Sequence, residues 1–128
     1  MLAVDANVIV RLITEDDPAQ ARRAARLFES NEIQVSRTVL LETARVLNAS
    51  YGFRNGRVLD ALEAIAGLPG VHVESARDVA RAIELGRAGL DFADAMRLVE
   101  SEAHVFVTSD EKLVRLARKV GLTGVKRL

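Results

Sequence analysis

The chain begins Met1-Leu2-Ala3-Val4-Asp5-Ala6-Asn7, a short apolar run that ends on an acid. Such a run is typical of a buried parallel strand, and α/β proteins bind ligands in the crevice beyond the carboxyl ends of such strands. Val105-Phe106-Val107-Thr108-Ser109-Asp110 repeats the pattern near the other end of the chain. We therefore expect two adjacent central strands that point Asp5 and Asp110 into one crevice.

Between these two runs, short apolar segments alternate with longer helical ones. The predicted strands are residues 2–4, 32–35, 71–73, 105–108 and 125–128, and helices are predicted to begin near Asn7, Pro18, Arg37, Arg57, Ser75, Asp91 and Asp110. Strands that alternate with helices imply parallel pairing and right-handed crossovers. We predict an α/β fold, a three-layer sandwich with a central parallel sheet of four to five strands. With no repeat or linker, residues 1–128 are predicted to form a single domain.

Composition excludes several functional classes. The 18 Lys and Arg balance the 18 Asp and Glu, so any contact with nucleic acid requires a local basic patch. The absence of cysteine excludes disulfides and thiolate metal sites, and the only histidines, His72 and His104, have no partner at ligand spacing. Neither a signal peptide nor an apolar stretch of ~20 residues is present. We expect a cytoplasmic protein.

Three further acids border helices in the predicted fold. Glu42 flanks an apolar helix face, where a carboxylate must be paired or metal-bound to offset its desolvation. Arg45 or Arg37 is the alternative partner for it. Asp91 and Asp94 are three residues apart and so share one helix face, where they could form a pair of oxygen ligands. Helix capping explains the aspartates equally well from position alone.

The order of these motifs resembles the PIN-domain ribonucleases, and most closely the VapC-type toxins of bacterial toxin–antitoxin pairs. The motifs are Val4-Asp5-Ala6-Asn7, Leu40-Leu41-Glu42-Thr43, Asp91-Phe92-Ala93-Asp94-Ala95 and Thr108-Ser109-Asp110-Glu111-Lys112-Leu113. Together they span essentially the whole chain. Ala6 is one departure, since Thr or Ser is common at that position, but no acid of the pattern is missing.

The resemblance implies a metal-dependent hydrolysis of RNA phosphodiester bonds. The implied metal-binding catalytic acids are Asp5, Glu42, Asp94 and Asp110, with Asp91 as an additional acid and Asn7 and Ser109 as supporting groups. Hard oxygen ligands suit Mg²⁺ or Mn²⁺, and such an ion activates water as the nucleophile. The resemblance also implies a homodimer and an inhibitory VapB-type antitoxin.

RNA binding would then depend on arginines outside the acidic pocket. The candidates are Arg22, Arg23 and Arg26 on one predicted helix, and Arg37, Arg45, Arg54 and Arg57 elsewhere. Few aromatic side chains are present for base stacking, which favours recognition of a folded RNA by its shape.

Two other classes of protein remain open. A receiver-like or phosphatase-like α/β domain also gathers acids at strand tips to hold Mg²⁺. A receiver requires an Asp where the third strand runs into Glu74, and a haloacid-dehalogenase-type phosphatase requires one at Asn7, so both are disfavoured. The other class is a non-catalytic RNA-binding module in which the acids only cap helices. It would require the four acidic motifs to be present by coincidence.

Overall fold

A computed structural model describes all residues, 1–128, and contains five strands and seven helices. The strands are β1 (Leu2–Ala3), β2 (Ile33–Val35), β3 (Val71–Val73), β4 (Phe106–Thr108) and β5 (Val125–Arg127). The helices are α1 (Ala6–Thr14), α2 (Pro18–Ser30), α3 (Arg37–Tyr51), α4 (Asn55–Ala66), α5 (Ala76–Gly86), α6 (Phe92–Glu100) and α7 (Glu111–Lys119). The predicted α/β class and the parallel pairing of the strands are confirmed.

The strands form two sheets, so the prediction of one sheet of four to five strands is wrong. The main sheet has three strands in the order β1-β2-β3, and β4 and β5 form a separate parallel pair. β1 is only two residues long, and no ladder joins it to β4. β4 and the residue before it are also less buried than their apolar sequence predicts, since Val107 in β4 is 55% exposed and Val105 is 57% exposed. The apolar character of a strand does not specify which other strand it pairs with.

Most helices begin where the sequence provides a cap. The Asp17 carboxylate accepts a hydrogen bond from the backbone N–H of Gln20 at 3.2 Å, and Ser36 Oγ accepts one from Val39 at 3.2 Å. These bonds satisfy N–H groups that have no partner within the helix. α5 begins directly after Ser75, near its predicted start, but Ser75 has a left-handed φ of 52° and its side chain makes no capping bond.

The core holds α3 against α6, the two helices that carry Glu42 and Asp94. One cluster of buried apolar side chains extends from Val4 to Ala117, and α6 packs on both α3 and α5. Arg37 at the start of α3 donates to Glu100 at the end of α6 at 3.1 Å, so the two helices run antiparallel. None of the helices combines the length and apolar character needed to cross a membrane.

Candidate active site

Three of the predicted site residues, Asp5, Asp91 and Asp110, cap the N-termini of α1, α6 and α7. In each, Oδ1 accepts a hydrogen bond from the backbone N–H three residues on, at 3.2, 2.7 and 3.1 Å respectively. The capping role weighed from the sequence is therefore real. Because Oδ1 makes the cap, the second carboxylate oxygen of each residue remains available to another partner.

Asp91, Asp94 and Asp110 form an electrostatically coupled acidic group, in which the charges of Asp91 and Asp110 act on Asp94. The pKa of Asp94 is raised, chiefly because partial burial removes water from its carboxylate and then because Asp91 is negatively charged nearby. Arg97 opposes this rise, whereas the charge of Asp110 adds to it. The Asp94 side chain is 30% exposed. A position that disfavours a bare negative charge in this way favours a bound cation.

Asp5 and Glu42 are not among the groups that most influence Asp94. Asp5 follows β1 in the three-stranded sheet, whereas Asp110 follows β4 in the separate pair. The expectation that Asp5 and Asp110 leave adjacent strands is therefore wrong, because no ladder of backbone hydrogen bonds joins β1 to β4. The helix N-termini, rather than one shared sheet edge, set the positions of these acids.

Two of the acids are paired with an arginine three residues further along the same helix. Arg45 donates to both oxygens of Glu42, from Nη2 at 2.7 Å and from Nε at 3.1 Å. This hydrogen bonding lowers the pKa of Glu42. Arg97 Nη1 donates to Asp94 Oδ1 at 2.6 Å. Of the two partners considered for Glu42 from the sequence, Arg45 is the one present, and Arg37 bonds elsewhere.

The two supporting residues, Asn7 and Ser109, are both exposed beside capping aspartates. Asn7 lines the same cleft as Asp5. Beside Ser109, Thr108 Oγ1 accepts a hydrogen bond from the backbone N–H of Asp110 at 3.1 Å. Thr108 therefore holds the start of α7, a role that the sequence motif contained but did not assign.

A cleft of about 420 Å³ opens beside Asp5 and is flanked by Arg11 and Arg23. Arg23 was predicted as a candidate RNA contact, whereas Arg11 was not among the candidates. Arg11 Nε donates to Gln20 at 3.0 Å, which holds its guanidinium at the junction of α1 and α2. The cleft thus combines one acid with two cationic groups, of which Arg11 is already paired with Asp16 at 2.8 Å and Arg23 forms no ion pair.

A second groove, of about 390 Å³, lies beside Asp91 and is lined by Arg45, Asn48 and Asn55. Asn55 Nδ2 donates to the backbone carbonyls of Gly86 and Leu90, at 3.1 and 2.9 Å. The amide therefore fixes the start of α4 against the end of α5. Neither Asn48 nor Asn55 was among the site residues predicted from the sequence.

The remaining arginines predicted to bind RNA differ in the contacts that they make within the protein. Arg22, Arg26 and Arg54 are exposed and form no ion pair. Arg57 lies over the ring of Phe53, with its guanidinium carbon 3.8 Å from the ring centroid. This cation–π contact packs Arg57 against the protein.

No three His, Asp or Glu side chains converge into a preformed metal site. The donor chemistry nevertheless fits a hard divalent cation, because every candidate ligand is a carboxylate and the Asp91–Asp94–Asp110 group disfavours a bare charge. Glu42 and Asp94 each contact an arginine instead.

The family model described as PIN domain matches residues 2–119. The matched segment contains all four sequence motifs and all five acids. Comparison with the curated proteins gives no match.

Proposed function

The chain belongs to the PIN domain family, whose members are generally metal-dependent nucleases, and on that premise we propose that it is a Mg²⁺- or Mn²⁺-dependent endoribonuclease. The observation that carries the proposal is the group formed by Asp91, Asp94 and Asp110, in which burial and like charge raise the pKa of Asp94. A divalent ion offsets both penalties at once, because it neutralises the carboxylates and replaces their lost water.

The proposed division of roles follows the family motifs. Asp5, Glu42, Asp94 and Asp110 are the catalytic metal ligands, Asp91 is an additional ligand, and Asn7 and Ser109 are supporting groups. The three capping aspartates hold a helix N–H with one oxygen and offer the other to the site. A divalent ion at these acids supplies activation of water and stabilisation of charge on the phosphate. No protein nucleophile is then needed.

The proposed substrate is RNA held at the margins of the acidic pocket. The carboxylates repel a phosphate backbone, so binding depends on cationic side chains beside them. Arg11 and Arg23 flank the cleft at Asp5, and Arg45 lines the groove at Asp91. These positions support a path for the RNA phosphate backbone along the cleft at Asp5 and the groove at Asp91.

The proposed biological role is that of a VapC-type toxin in a bacterial toxin–antitoxin pair. The order and spacing of the four motifs support it. The same proposal includes a single PIN-like domain over residues 1–128, a homodimer, a VapB-type antitoxin as inhibitor and a cytoplasmic location.

The test is to express the chain alone in bacteria and to sequence the 5′ ends of the RNA fragments that accumulate. We expect new ends at defined sites with the native chain and none with Asp94→Asn. Asp60→Asn is the matched control, because Asp60 pairs with Arg87 and lies outside the proposed site. An unchanged fragment pattern with the native chain, or the same new ends with Asp94→Asn, would overturn the proposal.

A further inference from the structure

We propose that Arg45 and Arg97 are internal counter-ions of the metal-site acids, which a divalent ion displaces and which then bind phosphates of the RNA. The inference rests on the proposed function, because it requires Glu42 and Asp94 to bind the metal. It assigns both arginines as positioning residues that couple metal binding to substrate binding.

The geometry of the two pairs is the first argument. Glu42–Arg45 on α3 and Asp94–Arg97 on α6 have the same spacing of three residues, and the two helices pack against each other. Arg45 occupies both oxygens of Glu42 and Arg97 occupies Oδ1 of Asp94. A cation that binds either carboxylate therefore competes with an arginine for it.

The exposure of the pairs is the second argument. The side chains of Arg45 and Arg97 are 65% and 58% exposed. Ion pairs in this range of exposure stabilise a protein only weakly, whereas a divalent ion gains several oxygen ligands at once. The arginines therefore neutralise the acids, but their ion pairs are weak enough for a divalent ion to displace them.

The groove at Asp91 is the third argument, because it gives the displaced Arg45 a place to act. Arg45 lines this groove together with the amide side chains of Asn48 and Asn55. A guanidinium matches two phosphate oxygens with parallel N–H donors, and Asn48, whose Nδ2 donates one N–H to the Phe53 carbonyl at 2.9 Å, has a second N–H for a neutral hydrogen bond. A phosphate bound there would lie beside Asp91, which lines the same groove as Arg45.

The direct test follows the Nε–H signals of the arginines by NMR while the native protein is titrated with MgCl₂. Arg45 Nε donates to Glu42 at 3.1 Å, so its signal should shift with the same midpoint as the backbone amide of Asp94. Arg37 Nε donates to Glu74 at the same distance, outside the proposed site, and should not shift. Arg45→Lys identifies the signal by removing it.

Two outcomes of this titration overturn the inference and separate it from the function. If the Asp94 amide shifts but the Arg45 Nε–H signal stays in place, the metal binds and the arginine exchange is wrong. If no signal responds to Mg²⁺, the proposed function fails together with the inference.

Replacing either arginine gives a second test, because it should strengthen Mg²⁺ binding and weaken RNA binding. In Arg45→Gln and Arg97→Gln, we expect Mg²⁺ to bind about two- to fivefold more tightly by calorimetry, because a competing cation is gone. The KM for RNA should instead rise by about fivefold or more, because a phosphate contact is lost. Arg87→Gln, which removes a partner of Asp60 and Glu63, should change neither value. Equal or weaker Mg²⁺ binding in both site variants would overturn the inference.

Discussion

Arg97 Nη1 lies 2.6 Å from Asp94 Oδ1, and yet the pKa of Asp94 is raised rather than lowered. Partial burial and the negative charges of Asp91 and Asp110 outweigh the arginine. The ionised form of Asp94 therefore destabilises the folded state. A carboxylate perturbed in this way is a candidate functional residue, and the proposed metal site accounts for Asp94.

Asp94→Asn should separate function from folding. We expect cleavage of RNA to be lost, while the free energy of unfolding stays equal or rises by up to about 1 kcal/mol, because the penalised charge is removed. A raised pKa means that the penalty is full at neutral pH and disappears below the ordinary pKa of aspartate. Urea unfolding at neutral and acidic pH should show the stability difference only at neutral pH. A variant clearly less stable than the native chain would contradict this.

Asp5→Asn and Asp5→Ala should differ in stability but not in activity. Asparagine keeps an acceptor for the Val8 N–H, so its free energy of unfolding should stay within about 0.5 kcal/mol of the native value, whereas alanine should lose about 1 kcal/mol. Both should abolish cleavage, because both remove a metal ligand. Asp17→Ala is the control, since it removes the equivalent cap from α2 outside the site. It should lose stability and retain cleavage.

The carboxylate of Asp16 should make the fold sensitive to acid. It accepts hydrogen bonds from Tyr51 at 2.6 Å, Arg11 at 2.8 Å and Thr14 at 2.9 Å, and these lower its pKa from 3.8 to about 2. A lowered pKa contributes stability above pH 3.8 that is lost as the pH falls towards 2. Tyr51→Phe should raise the pKa, measured by ¹³C NMR, and should reduce this loss. A native Asp16 that titrates near 3.8 would refute the prediction.

Gly86→Ala should destabilise the core. A Cβ atom at Gly86 would lie 3.0 Å from Cδ1 and 3.1 Å from Cδ2 of Leu59, a fully buried side chain. We expect a loss of about 1–2 kcal/mol in urea unfolding, because overpacking exceeds the gain in helix propensity. Gly56→Ala is the control, since a Cβ there meets nothing within 4 Å, and it should be neutral or stabilising.

The features that the sequence predicted well depend on local chemistry. Asp17 and Pro18 mark the start of α2 because capping and a fixed φ act within one turn. Asp5, Asp91 and Asp110 were recognised as cap positions for the same reason. The alternation of strands and helices likewise follows from short-range hydrophobic pattern.

The features that were missed depend on contacts between distant segments. β1 and β4 were predicted to be neighbours but lie in separate sheets. Which strands pair depends on the relative positions of their backbones, and the side chains of two- and three-residue strands do not specify those positions. The pairing of Asp94 with Arg97 was readable from their spacing of three, but the neighbouring charge of Asp110 comes from another helix. Asn48 and Asn55 became candidates only because α3, α4 and α6 form one groove.

The most direct measurement is cleavage of a folded RNA by the purified chain in Mg²⁺, after addition of chelator, and again after excess Mg²⁺. A nuclease that depends on these acids should cut only while Mg²⁺ is present, should recover fully when the ion is restored, and should be inactive as Asp110→Asn. Cleavage that persists in chelator, or that survives in Asp110→Asn, would contradict a metal-dependent site at these carboxylates.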